Sequence, residues 1–289
     1  MSVAQLMLDK RRGSALRRVA SLGPVTVVAA SLCVLFVLVA IFGPWIAPHD
    51  PVEIGTAGPY APPSPQHWLG TDDSGRDLLS RLFVGARVSL AGPALVILLA
   101  AVLATALAIA AAWHGGWIDS LISRVIEVTF SFPGLVLAVV AAAIFGAGFL
   151  APVLALSVAY VPVLARVLRA SALKERSLPY IEALQVQGAS AWSICIRHLL
   201  PNLMPLIAVQ CAVGFGYALL DLAAISYLGL GTQPPAPDWG VMVANGQPSI
   251  VSGYPQQSLF AVVVVVVSVV SFNLVGEALA RRFGHEDRT

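Results

Sequence analysis

Long stretches without a single ionised side chain constrain this chain more than any other feature. They run from Val19 to His49, Val88 to Ile118, Val128 to Ala165, His198 to Leu220 and Gly240 to Gly276. A charged residue at the centre of a bilayer costs about 2.5–3.5 kcal/mol even on insertion scales, so lipid selects for such windows. A helix rises about 1.5 Å per residue and needs about 20 residues to cross about 30 Å of hydrocarbon. Four windows therefore hold one span each. Val128 to Ala165 is too long for one straight helix and carries a Gly/Pro break at Phe145-Gly146-Ala147-Gly148-Phe149-Leu150-Ala151-Pro152, which predicts two shorter helices in a tight hairpin. The expected fold is an all-α membrane protein with six transmembrane helices, near Val25–Ile46, Ser89–Ala112, Phe132–Phe149, Ala151–Leu168, Leu203–Ile225 and Ser258–Leu279.

Composition closes off the alternatives. Only 11% of the 289 residues are charged and 58% are apolar, whereas soluble domains carry about a quarter charged residues. A water-soluble globule would lack the polar surface to cover itself, and disordered or collagen-like chains are excluded with it. Lys10, Arg11, Arg12, Arg17 and Arg18 precede the first span, but its apolar stretch is too long for a signal peptide and no A-x-A site follows, so it is expected to be retained.

The basic residues give an orientation. With the N-terminus inside, those five join Arg124, then Arg166, Arg169, Lys174, Arg176 and Arg197, then Arg281, Arg282 and Arg288 on the cytoplasmic side. Only Arg76, Arg81 and Arg87 fall outside, so both termini are expected in the cytoplasm. The resulting plan is a cytoplasmic segment 1–24, a first helix 25–46, an external loop 47–88, a core 89–280 containing a cytoplasmic loop 169–202, and a tail 281–289.

Catalytic patterns are missing: there is no H-E-x-x-H, no G-x-S-x-G, no phosphate-binding loop and no paired histidine within a span. His49, His67, His114, His198 and His285 look scattered, which predicts no metal site, and Cys33, Cys195 and Cys211 form no CxxC pair. A conduit without catalytic, cofactor or metal residues is the expectation.

The loop between the fourth and fifth spans is too long to be a simple connection. Pro179 at a helix start, a helical stretch Tyr180–Gln187, Gly188 as a stop, and a second stretch Ala191–His198 ending before Pro201 predict a helix–turn–helix at the membrane face. Ile181, Leu184, Val186 and Trp192 are expected to present an apolar surface to a partner. This loop resembles the EAA loop of the inner-membrane subunits of ABC importers, whose pattern is E-A-A, three residues, G, nine residues, I-x-L-P. Glu182, Ala183 and Gly188 match in spacing, and Leu200-Pro201 falls where the L-P belongs. Leu184 replaces the second Ala, and His198 replaces the Ile as peptide-type permeases usually write it.

Two further segments resemble the dipeptide/oligopeptide/nickel group of that family. The first, Leu69-Gly70-Thr71-Asp72 through Gly75-Arg76-Asp77 and Ser80-Arg81-Leu82 to Gly85-Ala86-Arg87, is similar to its L-G-T-D-x-x-G-R-D-x-x-S-R-L signature. The second runs from Ser226 through Gly229, Gly231, Gln233, Pro234 and Pro235 to Trp239-Gly240. With Gly115-Gly116 and Asp119, the resemblance covers nearly the whole chain. It implies a type I importer permease fold in the bacterial cytoplasmic membrane, pairing with a paralogous permease subunit, two ABC ATPase subunits or domains and an extracytoplasmic substrate-binding protein. No cofactor is expected on this chain, ATP and Mg belonging to the partners, and no nucleic acid is expected. It further implies that Tyr180, Glu182, Ala183, Leu184, Gly188, Ala189, Trp192, His198, Leu200 and Pro201 belong to an ATPase-coupling loop. Peptides are the expected cargo, with nickel or another small solute, or a stand-alone secondary transporter, as alternatives.

Asp72, Asp73, Arg76, Asp77 and Arg81 in the external loop have a simpler reading from spacing alone. Asp72–Arg76 and Asp77–Arg81 are four apart, which predicts a solvated outer helix laced with ion pairs. Asp221, inside the fifth span, is expected near the outer interface where its charge is hydrated.

Overall fold

A computed structural model describes residues 23–286, so the basic residues expected before the first span lie outside the described part. Among the described residues the regular structure is all helix, with no strand beyond one isolated bridge between Thr71 and Asp77. In order they form α1 (Pro24–Ile46), α2 (Leu78–His114), α3 (Gly116–Phe130), α4 (Gly134–Phe145), α5 (Leu150–Arg176), α6 (Pro179–Val186), α7 (Ala191–Ile194), a π-helical turn (Cys195–Leu199), α8 (Leu200–Tyr227), α9 (Trp239–Val251) and α10 (Gln256–Glu286).

Among the described residues, five helices are long and apolar enough to cross a membrane. A sixth crossing exists only if α3 and α4, bent by 78° at their junction, count as one. The expected third span, Phe132–Phe149, is therefore corrected. Pro133 sits at the start of α4 and removes an N–H, so the helix breaks at Phe132 rather than beginning there. At 12 residues, α4 rises about 18 Å and is too short to cross alone.

The second span is also longer than the charge-free window allows. Helix α2 begins at Leu78, not Ser89, and its 37 residues rise about 55 Å, far more than the hydrocarbon needs. Arg81 and Arg87 hid this extension, because a window that excludes charge sees neither a buried arginine with partners, as Arg81 is, nor an exposed one on the outer turn of a helix, as Arg87 is. Small residues on α2 let α5 and α8 approach closely. Ala100, Ala104 and Ala108 are fully buried against Leu164, Ala165 and Leu168, the small-residue packing that membrane helices use without a hydrophobic drive between them.

Helix α9 was not expected at all. It packs Trp239 and Met242 against Leu78, Leu82 and Leu219 in a core that also takes Phe36 of α1. The indole of Trp239 meets the Phe36 ring edge-on at 6.1 Å. The expected stop before Pro201 is corrected too: backbone helix runs unbroken from Ala191 to Tyr227. A π turn precedes the proline, where Leu200 N–H reaches back to Cys195 O, so the N–H that Pro201 lacks falls where the ladder is already shifted.

Candidate functional site

The chemistry-bearing residues gather at the two ends of the bundle. At one end, α6, α7 and the π turn fold back on the tips of α2 and α5. Helix α6 starts with Pro179 at its first position and closes with a Schellman motif: Gly188 N–H bonds Gln185 O and Ala189 N–H bonds Leu184 O, both at 3.0 Å. Gly188 takes φ +80 to make that turn, which a side chain would strain. Ser190 then caps α7 through Ser193 N–H.

The underside of this loop is anchored. Ile181, Ile194 and Leu199 are fully buried together, with Leu184 and Ala189 packed against them beside Trp113 of α2. Ile181 is thus corrected from partner surface to internal anchor, and Leu184 is half turned inward. The upper side is bare: Glu182 and Ala183 are exposed, Val186 is 89% exposed and Trp192 77%. Tyr180 donates to Glu175 Oε1 at 2.6 Å, and Asn202 Nδ2 donates to the same carboxylate at 2.6 Å. The ring of His198 lies 6.2 Å from that of Tyr180. Leu200 and Pro201 open α8 at the loop's exit.

Two arginines at this end are tied down. Arg169 of α5 grips Asp119 of α3 with both ends of its guanidinium, and Arg176 donates to Ala112 O at the tip of α2. Beside the loop an apolar groove of about 1140 Å³ runs along α2, α8 and α10, past Ile97, Ala101, Trp113, Trp192, Met204 and Phe272.

The opposite end carries a polar cap. The expected solvated outer helix is corrected: residues 71–77 form a tight turn, and Asp72, Asp77 and Arg81 are buried at 0, 0 and 1% exposure. Asp72 does pair with Arg76, at 2.7 Å, and also accepts from the backbone of Ser74 and Arg76. Arg81, in contrast, faces Asp72 at 3.6 Å and donates to Pro51 O at 2.8 Å. Asp77 caps α2 by accepting from Ser80 N–H and hydroxyl, and it pairs with His67 instead of Arg81. At Gly75 the backbone has φ +74, and an added Cβ would meet Gly55 Cα at 3.2 Å. Gly70 and Thr71 lie buried beside the segment at Ala61, whose N–H donates to the Thr71 hydroxyl at 2.9 Å.

The second signature locks the cap to the bundle. Gln233 Nε2 donates to Gly231 O and Gly229 O, folding its loop on itself while Pro234 and Pro235 stay exposed. Asp238 caps α9 through Gly240 and Val241 N–H, and Trp239 donates its indole N–H to Leu82 O at 3.0 Å. Burial pushes the Asp238 carboxyl above the usual range, while hydrogen bonds from Val241, Ser226, Gly240 and Ser89 pull it back. Asp221 is only partly buried and accepts from Tyr160 of α5 at 2.9 Å, so its partner is a neighbouring helix and hydration alone does not account for it.

The family model for "binding-protein-dependent transport system inner membrane component" matches residues 97–285. The chain belongs to that family. A second model, the N-terminal transmembrane domain of oligopeptide transport permease C, matches residues 24–63. This inner membrane component is 36% identical over 256 residues to a probable D,D-dipeptide transport system permease protein of Escherichia coli K12, covering 89% of this chain and 86% of the relative. It is 38% identical over 252 residues to the glutathione transport system permease protein of Shigella dysenteriae serotype 1, covering 87% and 83%. With five or six apolar helices, it is a multi-pass protein of the bacterial inner membrane.

Proposed function

We propose that this chain is the permease half of an ATP-driven importer that carries short peptides inward, with the loop 179–201 receiving force from a cytoplasmic ATPase. The loop's two-sided construction carries this reading. Its underside is bolted to α2 by Ile181, Ile194 and Leu199, while Glu182, Val186 and Trp192 stand free. A surface helix with large apolar side chains held in the open fits a partner's cleft, and a rigid attachment beneath it passes motion to the bundle. The apolar groove past Trp113 and Phe272 fits a second membrane subunit. Both termini then lie in the cytoplasm, and an extracytoplasmic protein delivers cargo to the opposite cap. Relatives named for D,D-dipeptide and glutathione transport support short peptides as cargo. ATP and Mg bind the partners, and this chain hydrolyses nothing.

The test is reconstitution of the complete complex in liposomes with Glu182→Ala and Gly188→Ala combined. Insertion and folding should persist while peptide-stimulated ATP turnover falls at least tenfold. Wild-type coupling in that double variant would remove the lever assignment, and gradient-driven transport by this chain alone would remove the importer reading.

A further inference from the structure

Three side chains that transport leaves unused meet where α1 hands over to α2. His49 follows the end of α1, His67 belongs to the cap, and Asp77 caps α2. One donor atom from each lies within 4.8 Å of the others. The expectation of scattered histidines is thereby corrected, because the cap folds back and stacks the two imidazoles with ring centroids 4.7 Å apart. His67 Nδ1 hydrogen-bonds Asp77 Oδ1 at 3.0 Å. His49 Nδ1 lies 3.9 Å from Asp77 Oδ2, and it is a buried nitrogen with no hydrogen-bond partner. Nothing in the fold explains that orphan, since buried polar atoms are almost always satisfied.

We propose that His49, His67 and Asp77 form a binding site for a divalent transition-metal cation of the Zn²⁺ type. Two imidazole nitrogens and one carboxylate are a donor set that Zn²⁺ accepts, with a fourth position left for solvent, whereas Mg²⁺ and Ca²⁺ prefer oxygen throughout. Ligand atoms around a tetrahedral Zn²⁺ stand about 3.3–3.5 Å apart, given bonds of about 2.0–2.1 Å. His67 Nδ1 stands 3.0 Å from Asp77 Oδ1 and His49 Nδ1 3.9 Å from Asp77 Oδ2, and one donor atom from each residue falls within 4.8 Å of the others, so small side-chain shifts bring the set to that spacing. The cation takes the place of the proton between His67 and Asp77 and gives His49 Nδ1 its missing partner. Outer contacts already hold the ligands: Ser80 donates its N–H and hydroxyl to Asp77 Oδ2, and His49 N–H donates to Ser80 Oγ at 3.0 Å. His49, with 30% of its side chain exposed, forms the open edge. Because the ligands come from three segments, the bound cation pins the exit of α1 to the start of α2 through the cap.

The experiment uses the assembled complex in detergent, stripped with chelator, loaded with Zn²⁺, gel-filtered and counted by mass spectrometry of the metal. Wild type should retain one Zn²⁺ more per permease chain than the same complex carrying His49→Ala, with affinity falling at least tenfold in the variant. His67→Gln keeps a hydrogen-bond donor toward Asp77 but loses the ligand, so it should fold and also lose the ion. Zn²⁺ should raise the melting temperature of wild type alone, and Mg²⁺ should raise none. Equal Zn²⁺ retention by wild type and both variants, or no Zn²⁺ on wild type, overturns the site.

Discussion

The two ends of this protein differ in what they bury and what they leave exposed. At the cap, charge is buried and spent internally: Asp72 serves Arg76 and Arg81, while Asp77 serves His67 and Ser80. At the loop end, Glu182, Val186 and Trp192 face outward and make no comparable contact. A buried charged network is expensive to break, because each removed partner strands another in low dielectric. An exposed helix is cheap to alter and costs function only through what docks on it. One end is therefore closed on itself, and the other leaves one face of a helix exposed.

Substitutions can break or sharpen that contrast. Asp72→Ala should have the largest effect on the fold, about 3–5 kcal/mol, because it leaves the buried Arg81 uncompensated; a fall in detergent melting temperature and in folded yield would show it. A neutral outcome would mean that the cap is more hydrated than its burial indicates. Ile181→Ala should cost about 2–5 kcal/mol at the loop end by opening a cavity under α6. It would appear as faster hydrogen exchange in residues 179–199 with the cap unaffected. Tyr160→Phe removes the hydroxyl that reaches Asp221 and should cost about 1 kcal/mol, while Asp221→Asn keeps an acceptor and should melt like wild type. If Asp221→Asn still slows transport, the charge itself serves the path. Trp192→Ser should change stability by less than about 0.5 kcal/mol, yet weaken retention of the ATPase on gel filtration; unchanged retention would remove Trp192 from the docking surface.

Much of the loop end was legible in sequence. Pro179, Gly188 and Ser190 write their own local structure through a fixed φ, a left-handed turn and a cap, and the structure has α6, the turn and α7 at those places. Which face of α6 would be free was not legible, since Ile181 and Val186 are equally apolar in sequence and only packing against Trp113 and Leu199 separates them. The cap was misread for a different reason. A four-residue spacing implies a helix only if the backbone is helical, and between Thr71 and Asp77 a tight turn brings Arg81 to Asp72 and His67 to Asp77. Helix α9 escaped because its 13 residues merge into a longer uncharged window that one span could fill.

Charge exclusion is a local property, decided residue by residue against lipid, so the sequence by itself determined that the chain is a bundle of membrane helices and roughly where they lie. The same is true of its punctuation by proline and glycine. Long-range partnership is not local. The bend between α3 and α4, the passage of helix through Pro201, the burial of Asp72 and Arg81, and the meeting of His49 with His67 depend on which segments fold back on one another. Only the tertiary structure decided those, because a buried charge is tolerated according to the partners that surround it in space.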